Sequence, residues 1–500
     1  MSDVEGIKRI SHSDPETIET FITSLIASFT AKVERLEARI VELEARNHEL
    51  ETKNKELERR LNQNSQNSNW PPSRDVKRPP VNHRKKGGKK GGPTGHPGHT
   101  LFYREQPDEI VIHPLTTCPD CNMPLEQEPV SGYERRQVLD IPPSVLHSTE
   151  HRVEKKRCSC CGKLQKAAFP SDVKAPVQYG PRLQSMVAYL SAYQMLPLAR
   201  IADMLHVFTA CRPSEATLLS AIRGMASALR PYETDIRTAL LASPVIHADE
   251  TGVHVNQKEH WVHVASTKAW TLLSIHASRG GEGMQAGGVL PAFKGTVCHD
   301  FYGPYIQKRE AFAFSHTFCN AHLSRECKGL SESGEHRWAR AIGRLLHQSW
   351  KVTCDARKAG RPLSESTIAT WERRYDWILE VGQAELARAR ERAPLPKGKR
   401  GRQAKSKAEN LWTRFRDHKS GILGYLRDAP LPFDNNQAER DLRMVAVKRK
   451  ISGCFCSEEM PADFATLRSF ISTLIKQGRS TLSSLACAQQ GLFSFEPQGT

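Results

Sequence analysis

None of the 500 residues fall in a run approaching the ~18 consecutive apolar positions of a membrane-spanning helix, so no transmembrane span is expected. The opening Met1–Ile10 lacks the apolar stretch of a signal peptide, and the chain reads as cytoplasmic, with no membrane partner. Acidic residues are in deficit. Against 72 Lys and Arg stand 55 Asp and Glu, a net charge of +17, which favours a polyanion or an anionic surface as partner without choosing between them. The 13 cysteines are odd in number and fit poorly with full disulfide pairing; in a reducing compartment they are metal ligands or buried thiols. At roughly 100–200 residues per domain the length implies two to four domains, which excludes a single small binding module.

The N-terminal region, 1–62, is expected to be helical. Leu36, Leu43, Leu50 and Leu57 recur every seven residues, with Val33, Ile40, Asn47, Asn54 and Leu61 at the companion position, a coiled-coil seam over 33–61. A parallel pairing sets Arg39 against Glu44, Arg46 against Glu51 and Lys53 against Glu58 of a second copy. Every such contact is attractive. The two seam Asn residues favour an in-register parallel homodimer, since an Asn facing Leu would be buried without a partner. The alternative is one amphipathic helix packed on its own chain, for which so narrow a stripe offers weak support.

Residues 63–100 read as a basic linker. Twelve of the 28 positions from Pro71 to Gly98 are Gly or Pro, and Arg74–Lys90 carries eight Lys or Arg against one Asp. Lys85, Lys86, Lys89 and Lys90 suit phosphate tracking without base reading; a solvated spacer is the alternative. Over 101–175 two C-x2-C knuckles follow, around an expected strand pair at 133–141 and 145–157. Cys118, Cys121, Cys158 and Cys161 form the natural set for one structural Zn²⁺, with Cys160 competing in the second pair and unmetallated thiols as the alternative. From 176 to 242 the pattern is helical, with Ser214-Glu-Ala-Thr217 opening a helix that suits a helix-turn-helix on DNA or plain packing.

After Pro244 the period shortens to strands at Val245–Asp249, Trp261–Ser266, Trp270–His276 and Gly295–His299, a mixed sheet. Alternation puts Val245, His247 and Asp249 on one face and Glu250 on the other, so Asp249 is the better site carboxylate. Asp300 ends an apolar run in the same way. In Phe433–Arg443, helical spacing gathers Asn435, Asn436, Glu439 and Arg443 on one face. Asn436 to Glu439 is equally a capping-box spacing, and these residues alone leave the two readings level. Cys319 and His322 offer half a metal site at most and read as structural; His247, His254 and His299 are assigned no metal.

Asp249-Glu-Thr-Gly, Asp300-Phe-Tyr-Gly-Pro-Tyr305, Cys319-Asn-Ala-His322 with Arg325, and Asp434-Asn-Asn-Gln-Ala-Glu-Arg440 followed by Lys448-Arg-Lys450 resemble, in order and context, the motifs of the insertion-sequence-66 family of bacterial transposases. The coiled coil, the linker with its Gly-Gly-Pro-Thr-Gly-His-Pro-Gly-His stretch and the two-knuckle segment resemble that family too. The resemblance implies a multidomain DDE transposase. Its ribonuclease-H-like α/β catalytic domain would occupy 243–325 and 431–480, a helical insertion 326–430, and a tail 481–500, with helices expected at 339–352 and 371–389 and a loop over 388–407. Asp249, Asp300 and Glu439 become the catalytic triad holding two Mg²⁺ ions, Asp249 bridging them. Arg440, Arg443, Lys448, Arg449 and Lys450 would grip phosphates. The implied partners are double-stranded DNA of element ends and target, a second copy of the chain and possible helper proteins, in the nucleoid. A non-catalytic DNA-binding regulator and a structure-selective nuclease of the same fold are the alternatives.

Overall fold

The structure, a computed structural model, describes residues 14–68, 104–139, 146–306, 312–332, 336–391, 405–428 and 430–495. The arm carrying Lys85, Lys86, Lys89 and Lys90 lies outside them, as does most of the loop expected over 388–407. The chain forms two compact units. One comprises residues 1–77, 296–306 and 315–435; the other comprises 78–295, 307–314 and 436–500.

Helix α1, Pro15–Leu61, is a single helix of 47 residues, about 70 Å long at 1.5 Å per residue. It starts where Asp14 caps it, Oδ1 accepting from Thr17 N at 2.8 Å, with Pro15 at the first helical position. Because the helix is unbroken, Ile22, Ile26 and Phe29 prolong the heptad seam towards its start. All three are exposed, as are Val33, Leu36, Ile40, Leu43, Leu50 and Leu57. The helix stops at Asn62, and residues 62–68 wind into a turn in which Asn67 Oδ1 accepts from Asn64 N at 2.8 Å and Ser68 Oγ donates to Asn64 O at 2.6 Å. The linker expected from 63 therefore begins later.

In the two-knuckle segment the strands are β1, Lys155–Arg157, and β2, Leu164–Lys166, antiparallel across the second knuckle. This corrects the expected pair: residues 133–139 form no strand, and 140–145 lie outside the described residues. Val138 is 92% exposed, so its stretch has no apolar face for a sheet to bury, and cysteine-turn geometry rather than alternation sets the pairing.

Four helices follow, α2 (Pro181–Ala192), α3 (Leu198–Thr209), α4 (Glu215–Leu229) and α5 (Tyr232–Leu241), then strands β3 (Val245–Val255), β4 (Lys258–Ser266) and β5 (Thr271–His276) and helix α6 (Gly281–Ala286). Ser214 caps α4 as its sequence suggests, accepting from Thr217 N at 3.2 Å. The strands form an antiparallel meander in which Asp249 faces Val264 and Val264 faces Leu273. Asn256 and Gln257, at φ 47° and 64°, turn the β3–β4 hairpin without a glycine.

The other unit holds β6 (Thr296–His299), α7 (Gly303–Ile306) and β7 (Ser315–Phe318), with β6 and β7 parallel and Cys298 opposite Thr317. β7 is a strand the sequence reading missed, only four residues long. Then come α8 (Asn320–Glu332), α9 (Arg337–Lys358), α10 (Glu365–Glu391), α11 (Lys407–Asp417) and α12 (Lys419–Leu423). A core of Trp338, Ile342, Leu345, Tyr375, Phe415 and Ile422 packs the expected insertion helices, both longer than their sequence cores, together with Phe318 of β7.

The chain ends in α13 (Asn436–Ser452), α14 (Met460–Lys476) and α15 (Thr481–Gln489). Helix α14 is buried nearly all round, which suits a central core helix. Its Ser469 Oγ accepts from Leu273 N at 2.8 Å and its Thr473 Oγ1 from Thr271 N at 3.1 Å, so β5 backbone donors not used by β4 end on helix hydroxyls. Leu190, Leu205 and Leu229 of the helical region share one core with Val264, Leu273, Phe470 and Leu485. Two expectations are thereby corrected. Residues 176–242 are not a body apart from the strands, and the expected tail is packed over its described part, 481–495, where α15 buries Leu485 and Ala488 and Phe493 packs on Tyr232 at 5.5 Å.

Candidate active site and zinc segment

Burial along β3 alternates. Ile246, Ala248 and Glu250 point inward while Val245, His247 and Asp249 are half-buried. Asp249 Oδ1 accepts from Glu250 N at 2.9 Å. Glu250 is spoken for: its side chain is 1% exposed and paired with Arg279 at 2.9 Å, whose guanidinium lies 4.7 Å from the Trp261 ring centroid. A buried carboxylate tied to one arginine is a structural ion pair, which leaves Asp249 as the acid on the accessible face.

Helix α13 packs on β3 and β4 through Ala438, Leu442 and Val445, and Glu439 stands half-buried in its first turn, where the helix dipole favours a carboxylate. The helix begins at Asn436, which places Glu439 in its first turn. A capping box forms between Ser406 and Glu409 at the start of α11. Arg440, Arg443, Arg449 and Lys450 are exposed. The Lys448 ammonium lies 5.0 and 5.4 Å from the Phe455 and Phe464 ring centroids, and burial lowers its pKa.

Asp300, in the other unit, follows β6, and its Oδ1 accepts from Tyr302 N at 2.9 Å in a tight Asx turn. Beside it His299 is fully buried and stacked on Tyr305 at 4.4 Å. Burial drives its pKa down to about 3, so the ring is neutral. Nδ1–H donates to the Asp300 carbonyl, leaving Nε2 to accept from His316 Nδ1 at 2.9 Å. Cys319 is buried, its sulfur accepting from Asn435 N at 3.2 Å and its N–H donating to His299 O at 2.9 Å. His322 is held neutral by burial, its pKa lowered to about 4.

The two cysteine knuckles are built alike. Cys118 N donates to Met123 O and Asn122 N to Cys118 O, both at 2.9 Å; Cys158 N donates to Lys163 O and Gly162 N to Cys158 O, also both at 2.9 Å. Asn122 and Gly162 occupy the same left-handed position, φ 60° and 68°. Backbone N–H groups of Cys121 and Asp120 lower the Cys118 thiol pKa, and those of Cys161 and Cys160 do the same for Cys158. Cys161 is thus the counterpart of Cys121, and Cys160 that of Asp120. No three of the four sulfurs Cys118, Cys121, Cys158 and Cys161 lie within 4.8 Å of one another among the described residues.

The family model described as the IS66 transposase family matches residues 176–462, and that of the zinc-finger binding domain of IS66 transposases matches 116–162. A family of unknown function matches 11–101. The chain belongs to the IS66 transposase family. An uncharacterised protein of Sinorhizobium fredii, y4hP, is 22% identical to this transposase over 402 residues, covering 72% of this chain and 67% of the relative. A chain in the structure of the simian T-cell lymphotropic virus intasome with PP2A regulatory subunit B56 gamma matches at 11% identity over 44% of the transposase and 80% of that chain; its TM-score of 0.15 carries no argument. The transposase thus joins a zinc finger to a mixed α/β region with helices, and no helix among its described residues is long and apolar enough to cross a membrane.

Proposed function

We propose that this IS66 transposase cuts phosphodiester bonds at the ends of its element and joins the freed 3′ ends to target DNA, with Asp249, Asp300 and Glu439 as the reactive carboxylates. One observation carries the reading: Asp249 on β3 and Glu439 on α13 belong to elements packed against each other, each half-buried, while the neighbouring Glu250 is consumed by Arg279. The antiparallel meander and the parallel β6–β7 pair suit a ribonuclease-H-like sheet. Three carboxylates are the hard oxygen donors that Mg²⁺ prefers. Two such ions, when bound, supply an activated water and neutralise charge on the leaving oxygen. The three carboxylates would hold the ions, while Arg440 and Arg443 hold DNA phosphates nearby. Zn²⁺ on Cys118, Cys121, Cys158 and Cys161 holds the finger together, α1 pairs two copies, and the basic arm with Lys85, Lys86, Lys89 and Lys90 follows the DNA backbone in the bacterial nucleoid.

The test is incubation of purified protein with labelled element ends, target DNA and Mg²⁺, followed by mapping of nicks and joined products. Asp249→Asn, Asp300→Asn and Glu439→Gln are expected to lower both by orders of magnitude with duplex binding retained. Glu282→Gln, an exposed acid on α6, is expected to leave both unchanged. Nicks without joined products would make the protein a nuclease. Unaltered joining by Glu439→Gln would remove that residue from the site.

A further inference from the structure

Helix α9 has two faces. Trp338, Ala339, Ile342, Leu345, Leu346, Ser349 and Thr353 are buried, and the opposite face carries Arg337, Arg340, Arg344, Lys351 and Lys358, all exposed. Their spacing of three, four and seven residues keeps all five on one ridge. The ridge runs about 32 Å from Arg337 to Lys358, close to the ~34 Å of one B-DNA turn. Asp355 is its one acid, and no ion pair among the described residues engages any of the five cations.

A solvated surface helix ordinarily mixes charges of both signs and places acids in its first turn, where the dipole favours them. Here the first turn holds no acid, and Arg337, Arg340 and Arg344 crowd the end where positive charge is disfavoured. The ridge also lacks the aromatic and apolar centre that a protein interface uses; its one large apolar neighbour, Val352, stands at the edge, 38% exposed.

We infer that the exposed ridge of α9 is a second DNA-contacting surface, which follows the phosphates of a double helix without reading bases. The inference rests on the DNA-handling reading of the chain and extends it to a helix that none of the triad motifs touches.

The full-length protein carrying Arg340→Gln, Arg344→Gln and Lys351→Gln is compared with the unmodified protein by fluorescence anisotropy on generic duplexes over a range of salt concentrations. The slope of log affinity against log salt is expected to flatten by about 0.9 for each of the three charges removed, equally for unrelated sequences. Arg340→Lys with Arg344→Lys is expected to retain the unmodified slope, because a phosphate track needs charge rather than guanidinium shape. An unchanged slope in the triple variant overturns the inference and returns the ridge to solvent. Lost self-association with intact DNA affinity overturns it in favour of a protein contact. Absence of duplex binding by the unmodified protein would instead bring down the DNA-handling reading on which the inference stands.

Discussion

Cys160 and Cys161 differ in reach, although spacing alone admits either. A thiolate one residue early would lie where the first knuckle, built the same way, carries Asp120 rather than a cysteine. Cys161→Ser is therefore expected to remove most of the roughly one zinc per chain that metal analysis should find, and Cys160→Ser to keep it. Equal loss from both would place the ligand at neither position alone. The knuckle residues were legible from sequence because zinc demands few residue types at short spacing. Glu250 was legible only by elimination: alternation put it on the face away from Asp249, but its role needed Arg279, 29 residues on, which no local pattern announces. Lys448 shows the converse. A Lys-Arg-Lys run looks uniformly solvated, yet the middle-distance partners Phe455 and Phe464 withdraw one of the three.

Among the elements, the junction of α1 with α8 was hidden. Asn and Ser after a heptad run announce a helix end and a linker, whereas residues 62–68 lie on α8, with Asn67 Nδ2 donating to Glu332 at 3.0 Å and Arg325 Nη1 reaching Ser65 O at 3.5 Å. The close approach depends on Gly329, since a Cβ there would fall 2.1 Å from Asn67 O. The sign of one substitution tests it. A free turn would make Gly329→Ala stabilising by about 1 kcal/mol, from helix propensity alone. With the turn docked, the methyl group must push backbone away and break those bonds, so denaturant unfolding should show a loss of roughly 1–3 kcal/mol and proteolysis new cleavage within 62–68. The long amphipathic helices of the insertion could be read from their period, whereas β7 and α15 could not: four residues carry no periodicity, and α15 mixes Ser, Ala and Cys with little apolar contrast.

For the whole molecule, the exposed seam of α1 asks what covers it. Residues 14–61 present apolar side chains every three or four positions and bury almost none of them. A second copy fits on charge as well as on shape, because Arg39, Arg46 and Lys53 each meet Glu five residues further along the partner strand in a parallel pair. Among the described residues these charges form local pairs, Arg39 with Glu42 at 2.5 Å and Lys53 with Glu49 at 2.5 Å, exposed contacts worth little. Leu43 and Leu50 are about half exposed in the single chain, so Leu43→Asp with Leu50→Asp should leave the monomer's fold and unfolding midpoint nearly unchanged. In the pair the same changes would bury four like charges at the seam. Sedimentation of the full-length double variant is then expected to show half the mass of the unmodified protein at equal concentration. If the mass stays that of a dimer, the subunits meet elsewhere; if the fold itself melts, the seam was packed on its own chain and the single-helix alternative holds.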